Sequence, residues 1–297
     1  MNFENPHTRL NPLTGEWILV SPHRCKRPWQ GAVATGAKEE APAYDPNCYL
    51  CPGNKRAGGV LNPNYRDIFI FANDYPALLQ EIPDAGNEGS LWRQAKSERG
   101  ICRVICYSPL HNKNFEDLEL TAARKVVDDC WIKQEEELMG FDYINFVQIF
   151  ENKLMGNSNP HPHGQIWAGS GLPAELGKED RSQADFFKVN GHCLLCQVIK
   201  DELQSAERII FKNEHWLALI PFWAIWPFEI LLLPRMHHAS LLELAAAQKD
   251  TLVEIWQNII RQYNLLFQTT MPFSCGWHVM PKKSGQSLYN QNPLIPL

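Results

Sequence analysis

The sequence predicts an α+β fold, a mostly antiparallel sheet with helices packed on it. Three observations carry this. Short runs rich in β-branched and aromatic residues recur between turn signals. Two long segments, 118–140 and 241–267, place apolar residues at helical spacing. One order of features occurs twice along the chain: a Cys-x-x-Cys pair, strands, a histidine, a helix and a further strand. That repetition reads as an internal duplication by pattern rather than identity. Layering of helices on one side of such a sheet buries both apolar faces. Two halves follow, 1–172 and 173–297, the second incomplete at its end.

The elements are justified in chain order. Residues 1–45 are rich in Pro, Arg and Gly and read as irregular, apart from a strand at Glu16–Val20. "CYLC" stands at Cys48–Cys51. Strands are expected at 67–72 and 101–107, then a turn at Ser108-Pro109 before His111. In the 118–140 helix Leu118, Val126, Val127, Trp131 and Leu138 face inward and charges face out. Residues 142–150 return to strand character and run into "SNPHPHGQIWA". The second half repeats the order with "CLLC" at Cys193–Cys196, a helix over 198–203, and strands at 208–211, 216–220 and 229–233. His237 and His238, the 241–267 helix and a strand at 274–279 complete it. No histidine follows His278, so the end of the second half reads as altered or truncated.

A chain of 297 residues with ten tryptophans can fill a substantial core. Its net charge of −5 argues against a general nucleic-acid binder. A phosphate-bearing small substrate needs only a few local donors, so the charge balance leaves that class open. The N-terminus lacks the basic stretch and apolar run of a signal peptide. No apolar run is long enough to span a membrane. Nine cysteines cannot all pair within one chain, and without an export signal they read as thiols or metal ligands. A cytoplasmic protein is expected.

Cys48-x-x-Cys51 is a zinc half-site, because two thiolates three residues apart chelate one ion from a tight turn and zinc takes four ligands. His111 and His161 are candidates for the other two. Two buried thiols are the competing reading. Cys193-x-x-Cys196 with His237 or His238 is a second possible site, with a fourth ligand missing. In an extended segment His161, His163 and Gln165 share one face. A neutral His163 is suited to attack phosphorus. Its other nitrogen must then donate its proton, most cheaply to a backbone carbonyl in the same strand. Pro162 argues for an edge or bulged position, and Gly164 for close approach of a ligand. Gln165 can donate to a phosphoryl oxygen as charge develops there. Spacing alone leaves open whether His163 is a nucleophile or one more metal ligand. Arg24, Lys26 and Arg27 form a basic loop suited to phosphate. Asn73 and Asp74 follow a strand and read as a turn, or as a pair that holds ribose hydroxyls.

"RLNPLTGEWILVSPHRCKRPWQG", "SERGICRVICYSP", "SNPHPHGQIWA", "EHWLALIPFWAIWPFEILLLP" and "PFSCGWH" together resemble the galactose-1-phosphate uridylyltransferase family, within the wider histidine-triad superfamily. The resemblance spans residues 9–278. It implies two histidine-triad-like halves sharing a sheet. It also implies exchange of UMP between UDP-glucose and galactose 1-phosphate through a covalent uridylyl-histidine. His163 matches the nucleophile, and Gln165 the glutamine that contacts the transferred group. Structural zinc falls on Cys48, Cys51, His111 and His161. Uridylyl contacts fall on Leu50, Phe71, Asn73, Asp74, Asn152, Ser158 and Gln165. Arg24 and Arg27 match arginines that reach phosphate and sugar, partly across a homodimer interface. Glu179 and His278 match two ligands of a second metal site found in some members. The further His-x-His that completes it is absent here, so that site is expected to be empty or degenerate. The alternatives are a nucleotidylyltransferase or phosphorylase acting on another nucleotide, and a zinc-stabilised nucleotide-binding protein with little turnover.

Overall fold

The structure is a computed structural model and describes residues 3–26, 28, 41–83, 90–155 and 159–283. The described chain folds as two compact units that interleave in sequence. One draws on residues up to 28 and on 173–237, the other on 41–172 and 238–283.

The larger unit is built on a five-stranded sheet. Its strands are β3 (Phe69–Ala72), β4 (Gly100–Cys106), β5 (Phe146–Lys153), β6 (His163–Gly169) and β10 (Phe273–Trp277), in the spatial order β10-β5-β6-β4-β3. All neighbours are antiparallel. Alternation sorts the side chains onto two faces. Val147, Ile149, Glu151 and Lys153 of β5 and Gly164, Ile166 and Ala168 of β6 are buried on one face. Gln148, Phe150 and Asn152, with His163, Gln165 and Trp167, point to the other and are only partly covered.

Two long helical runs accompany the sheet. α1 (Leu120–Lys125) and α2 (Lys133–Met139) flank a π-helical stretch, Val126–Ile132, giving one continuous run. Val126, Val127, Trp131 and Leu138 of this run are buried as expected, and so is Leu118, which lies just before it in extended backbone. α5 (Ala246–Phe267) buries Leu252, Val253, Ile255, Ile259 and Ile260, a stripe at 3.6-residue spacing. Its buried Gln257 is satisfied by donating to the carbonyls of Phe115 and Leu118 at 3.0 and 2.9 Å. Phe115 stacks on Trp131, and Trp131 meets Trp277 of β10 at 5.2 Å, so the C-terminal strand is tied to the earlier helix.

The smaller unit holds the hairpin β1 (His7–Asn11)–β2 (Glu16–Val20) and a three-stranded sheet, β7 (Ile209–Lys212), β8 (Trp216–Leu219) and β9 (Leu231–Pro234). It also holds helices α3 (Ala174–Asn190) and α4 (Leu194–Ser205). The sequence reading missed β1, whose alternation is carried by polar residues. It also missed α3, whose weakly apolar run buries only Leu176, Asp180 and Ala184. The mixed, antiparallel architecture stands. Of the second half's strands, β10 joins the five-stranded sheet and β7–β9 form their own.

Candidate active site and metal cluster

Cys48 and Cys51 lie in a turn-rich loop pinned by amide side chains. Asn54 Nδ2 donates to the carbonyls of Asp45 and Cys48 at 2.9 and 2.7 Å. Asn62 Nδ2 donates to those of Tyr49 and Cys51, both at 3.0 Å. Tyr65 donates its hydroxyl to the Leu50 carbonyl at 2.6 Å. Leu50 is buried with Cys48, Cys51, Val104 and Cys106, and Phe69 and Phe71 pack against this cluster.

His111 and His161 arrive at the two thiols from the ends of β4 and the start of β6. The four donor atoms lie within 4.8 Å of one another and all four residues are buried. Cys51 Sγ stands 3.6 Å from Nδ1 of both His111 and His161, and Cys48 Sγ stands 3.9 Å from Nδ1 of His161. A tetrahedral ion with ordinary thiolate and imidazole bond lengths sets S and N about 3.6 Å apart. The donor set therefore fits a metal ion. His161 Nε2 donates to the Ser108 carbonyl at 3.0 Å, which leaves Nδ1 its lone pair for a metal. Burial pushes the Cys51 thiol up to about 11 and holds the His161 imidazole down to about 4. In the ion-free chain Cys51 is thus a thiol and His161 a neutral imidazole. A divalent cation would displace the thiol protons.

His163 opens β6. Its Nδ1 is 2.7 Å from the carbonyl oxygen of His161, so it donates there, in the manner the spacing suggested. Nε2 then carries the lone pair and has no hydrogen-bond partner among the described residues. Burial holds the ring below the usual imidazolium range, and the bond to the carbonyl works in the other direction. The ring is neutral at neutral pH.

Strand pairing sets what lies beside it. His163 is opposite Cys106 and Gln165 is opposite both Val104 and Phe150. Directly opposed residues share a face, so Phe71, His163, Gln165 and Asn152 lie on the partly open side of the sheet. Asn73 follows β3. Its N–H donates to the Cys102 carbonyl at 3.0 Å and its Oδ1 accepts from the Tyr75 N–H at 2.9 Å, which closes a turn. Asp74 meets Arg56 at 3.5 Å. Arg24 sits in an exposed 3-10 segment, Pro22–Lys26, of the smaller unit. Arg27 and Ser158 lie outside the described residues. Glu179 is in α3 of the smaller unit, and His278 follows β10 in the larger.

Two local readings are corrected. β6 is the third strand of five and so not an edge strand, although its ladder with β5 stops at Gln165 and His163 and Gly164 pair with β4 alone. Pro162 is accommodated because it stands just before the first strand residue, where no ladder donor is needed. Gly164 faces the protein interior rather than a ligand. A Cβ there would run into the Tyr107 hydroxyl, with Tyr107 Cζ at 3.1 Å and the Phe150 carbonyl at 3.2 Å.

Residues 1–173 match the model of the galactose-1-phosphate uridyl transferase N-terminal domain, and residues 179–292 that of its C-terminal domain. The chain belongs to this family. A galactose-1-phosphate uridylyltransferase of Haemophilus influenzae is 48% identical over 280 residues, which cover 94% of this chain and 79% of that protein. The enzyme of that name from Rattus norvegicus is 43% identical over 280 residues, 94% of this chain and 73% of its own. A solved uridylyltransferase superposes with a TM-score of 0.68 at 29% identity, covering 92% of this chain and 81% of its own. An ADP-glucose phosphorylase from Arabidopsis thaliana with bound ADP-glucose shares the fold, with a TM-score of 0.71 at 23% identity, covering 93% and 83%.

Within this family member one polar residue escaped the sequence reading. The guanidinium of Arg56 lies 4.1 Å from the Phe71 ring centroid, beside Asp74. Its Nε and Nη1 are buried and have no hydrogen-bond partner among the described residues. The available signal was its place in "CPGNKRAGG", a basic pair between turn glycines just after the cysteine loop. All nine cysteines are free of disulfides, in line with their reading as thiols or ligands. No helix among the described residues is long and apolar enough to cross a membrane.

Proposed function

We propose that the chain is a UDP-glucose–hexose-1-phosphate uridylyltransferase of the cytoplasm. It exchanges UMP between UDP-glucose and galactose 1-phosphate through a uridylyl group carried on His163. The observation that carries this reading is the 2.7 Å bond from His163 Nδ1 to the His161 carbonyl, which leaves the lone pair on Nε2. In the first half-reaction Nε2 forms a bond to the α-phosphorus, and the bond to the oxygen bridging the two phosphates breaks. Glucose 1-phosphate leaves with that electron pair. A phosphate oxygen of galactose 1-phosphate then attacks the same phosphorus and expels the imidazole. The proton stays on Nδ1 throughout, hydrogen-bonded to the His161 carbonyl. As the ring gains positive charge, that hydrogen bond strengthens. Both half-reactions pass through similar charge, so one preorganised site serves both.

Gln165 donates to the transferred phosphoryl group. Leu50, Phe71, Asn73, Asp74, Asn152 and Ser158 hold the uridylyl moiety. Arg24 and Arg27 reach phosphate and sugar, with a homodimer partner supplying part of the contact. Cys48, Cys51, His111 and His161 hold zinc in a structural role, which fixes His161 and with it the carbonyl that aims His163.

The test is incubation of the folded chain with UDP-glucose labelled at the α-phosphorus. One label on His163, discharged by galactose 1-phosphate and absent in His163→Ala, is the expected result. Sugar exchange without label on the protein defeats the covalent route. Discharge by inorganic phosphate in place of galactose 1-phosphate would make the chain a phosphorylase.

A further inference from the structure

The smaller unit contains a second group of metal-ligating side chains that the proposed reaction does not use. Cys193, Cys196 and His237 place their donor atoms within 4.8 Å of one another, and each is half-buried. Local structure delivers all three. α3 ends at Gly191, whose φ of +73° closes the helix, and its N–H returns to the Phe187 carbonyl at 2.7 Å. The chain reverses there and Cys193 becomes the N-cap of α4. Cys196 sits one turn further on, and side chains three apart on a helix share a side. α4 is held against the three-stranded sheet by Ile199, Leu217, Leu219 and Leu233.

His237 comes from the opposite direction. β9 ends at Pro234, and Arg235 anchors the exit. Its N–H donates to the His215 carbonyl at 2.7 Å, and its guanidinium to the carbonyls of Asn213 and Glu214 at 3.0 and 3.1 Å. Two residues later His237 Nδ1 stands 3.5 Å from Cys196 Sγ. That matches the S to N separation of about 3.6 Å around a tetrahedral ion. Two thiolates and an imidazole select a thiophilic borderline cation over magnesium or calcium. The half-exposed surroundings let water take the fourth position.

We propose that Cys193, Cys196 and His237 form a second zinc site, closed by water, that staples the start of α4 to the end of β9. The staple matters because β7, β8 and β9 have four residues each. Strands this short make few ladder hydrogen bonds, and metal binding adds directly to the stability of the unit that holds them.

The test is elemental analysis of the purified full chain. The wild type should hold two zinc ions, and Cys193→Ser/Cys196→Ser one. Equal metal content in the two overturns the proposal. Should the double variant fail to fold, titration of metal-free wild type with cobalt(II) decides. Thiolate-to-cobalt absorption should rise through two equivalents, and saturation at one overturns the proposal. His237→Gln should weaken the second equivalent about tenfold or more and leave the first unchanged. No change in either equivalent removes His237 from the site.

Discussion

Gly164 offers the sharpest test of how the site is held. It lies between His163 and Gln165 on a strand paired on both sides. Replacement by alanine puts a Cβ against the Tyr107 hydroxyl, closer than side-chain carbons stand to any heavy atom, with Tyr107 Cζ at 3.1 Å. Tyr107 is buried and cannot swing into solvent, and its hydroxyl donates to Glu151 at 3.2 Å. Overpacking of this kind costs about 1–3 kcal/mol. Loss of the hydroxyl's bond to the buried carboxyl adds about 1–3 kcal/mol. Gly164→Ala should therefore destabilise by about 2–6 kcal/mol, a large share of a domain's net stability. Urea unfolding of Gly164→Ala, Tyr107→Phe and the double variant measures this as a cycle. Removing the hydroxyl should recover part of the alanine's cost, so the double variant should be less damaged than the sum of the singles. Gly164→Ala within about 0.5 kcal/mol of wild type would refute the packing account, as would strict additivity.

Three further outcomes are expected. Burial raises the Glu151 carboxyl to about 7, against the pull of Lys153 and with Glu116 and the Tyr107 hydroxyl nearby. The folded state therefore holds this proton more tightly than the unfolded chain, so its contribution is full below the unfolded pKa and is lost as pH rises through about 7. The swing is on the order of 3 kcal/mol, and Glu151→Gln should flatten that part of a stability-against-pH curve measured by denaturant titration. Cys51→Ser should lose the ion of the Cys48 cluster and lower the unfolding midpoint, and a chelator should then have less effect on the variant than on wild type, by metal analysis paired with thermal melting. Gln165→Ala should lower kcat by about 10²–10³ with the fold intact, the range for losing one transition-state donor, read in an exchange assay.

Much of the site was legible because its chemistry is local. A Cys-x-x-Cys turn, a His-x-His spacing and a glutamine two further on are read from residue type and period alone. The acceptor for the His163 proton followed from the need to leave one nitrogen free. The apolar spacing of 118–140 and 241–267 marked the helices, although the second is a short 3-10 turn, Leu241–Glu243, followed by α5. β1 and α3 were not legible, since neither carries a strong apolar period. Arg56 was missed because its role rests on Phe71 and Asp74, distant in sequence.

By itself the sequence determined the donor chemistry and the periodicities: which residues can bind a metal, attack phosphorus or line a core. Only the tertiary structure decided that His111 and His161 converge on Cys48 and Cys51, that β6 runs in the middle of its sheet, and that Gly164 is reserved for Tyr107. The reason is that strand order and register come from pairings between segments far apart in the chain. β10 closes on β5 across more than a hundred residues, and no local pattern records which partner such a strand will take.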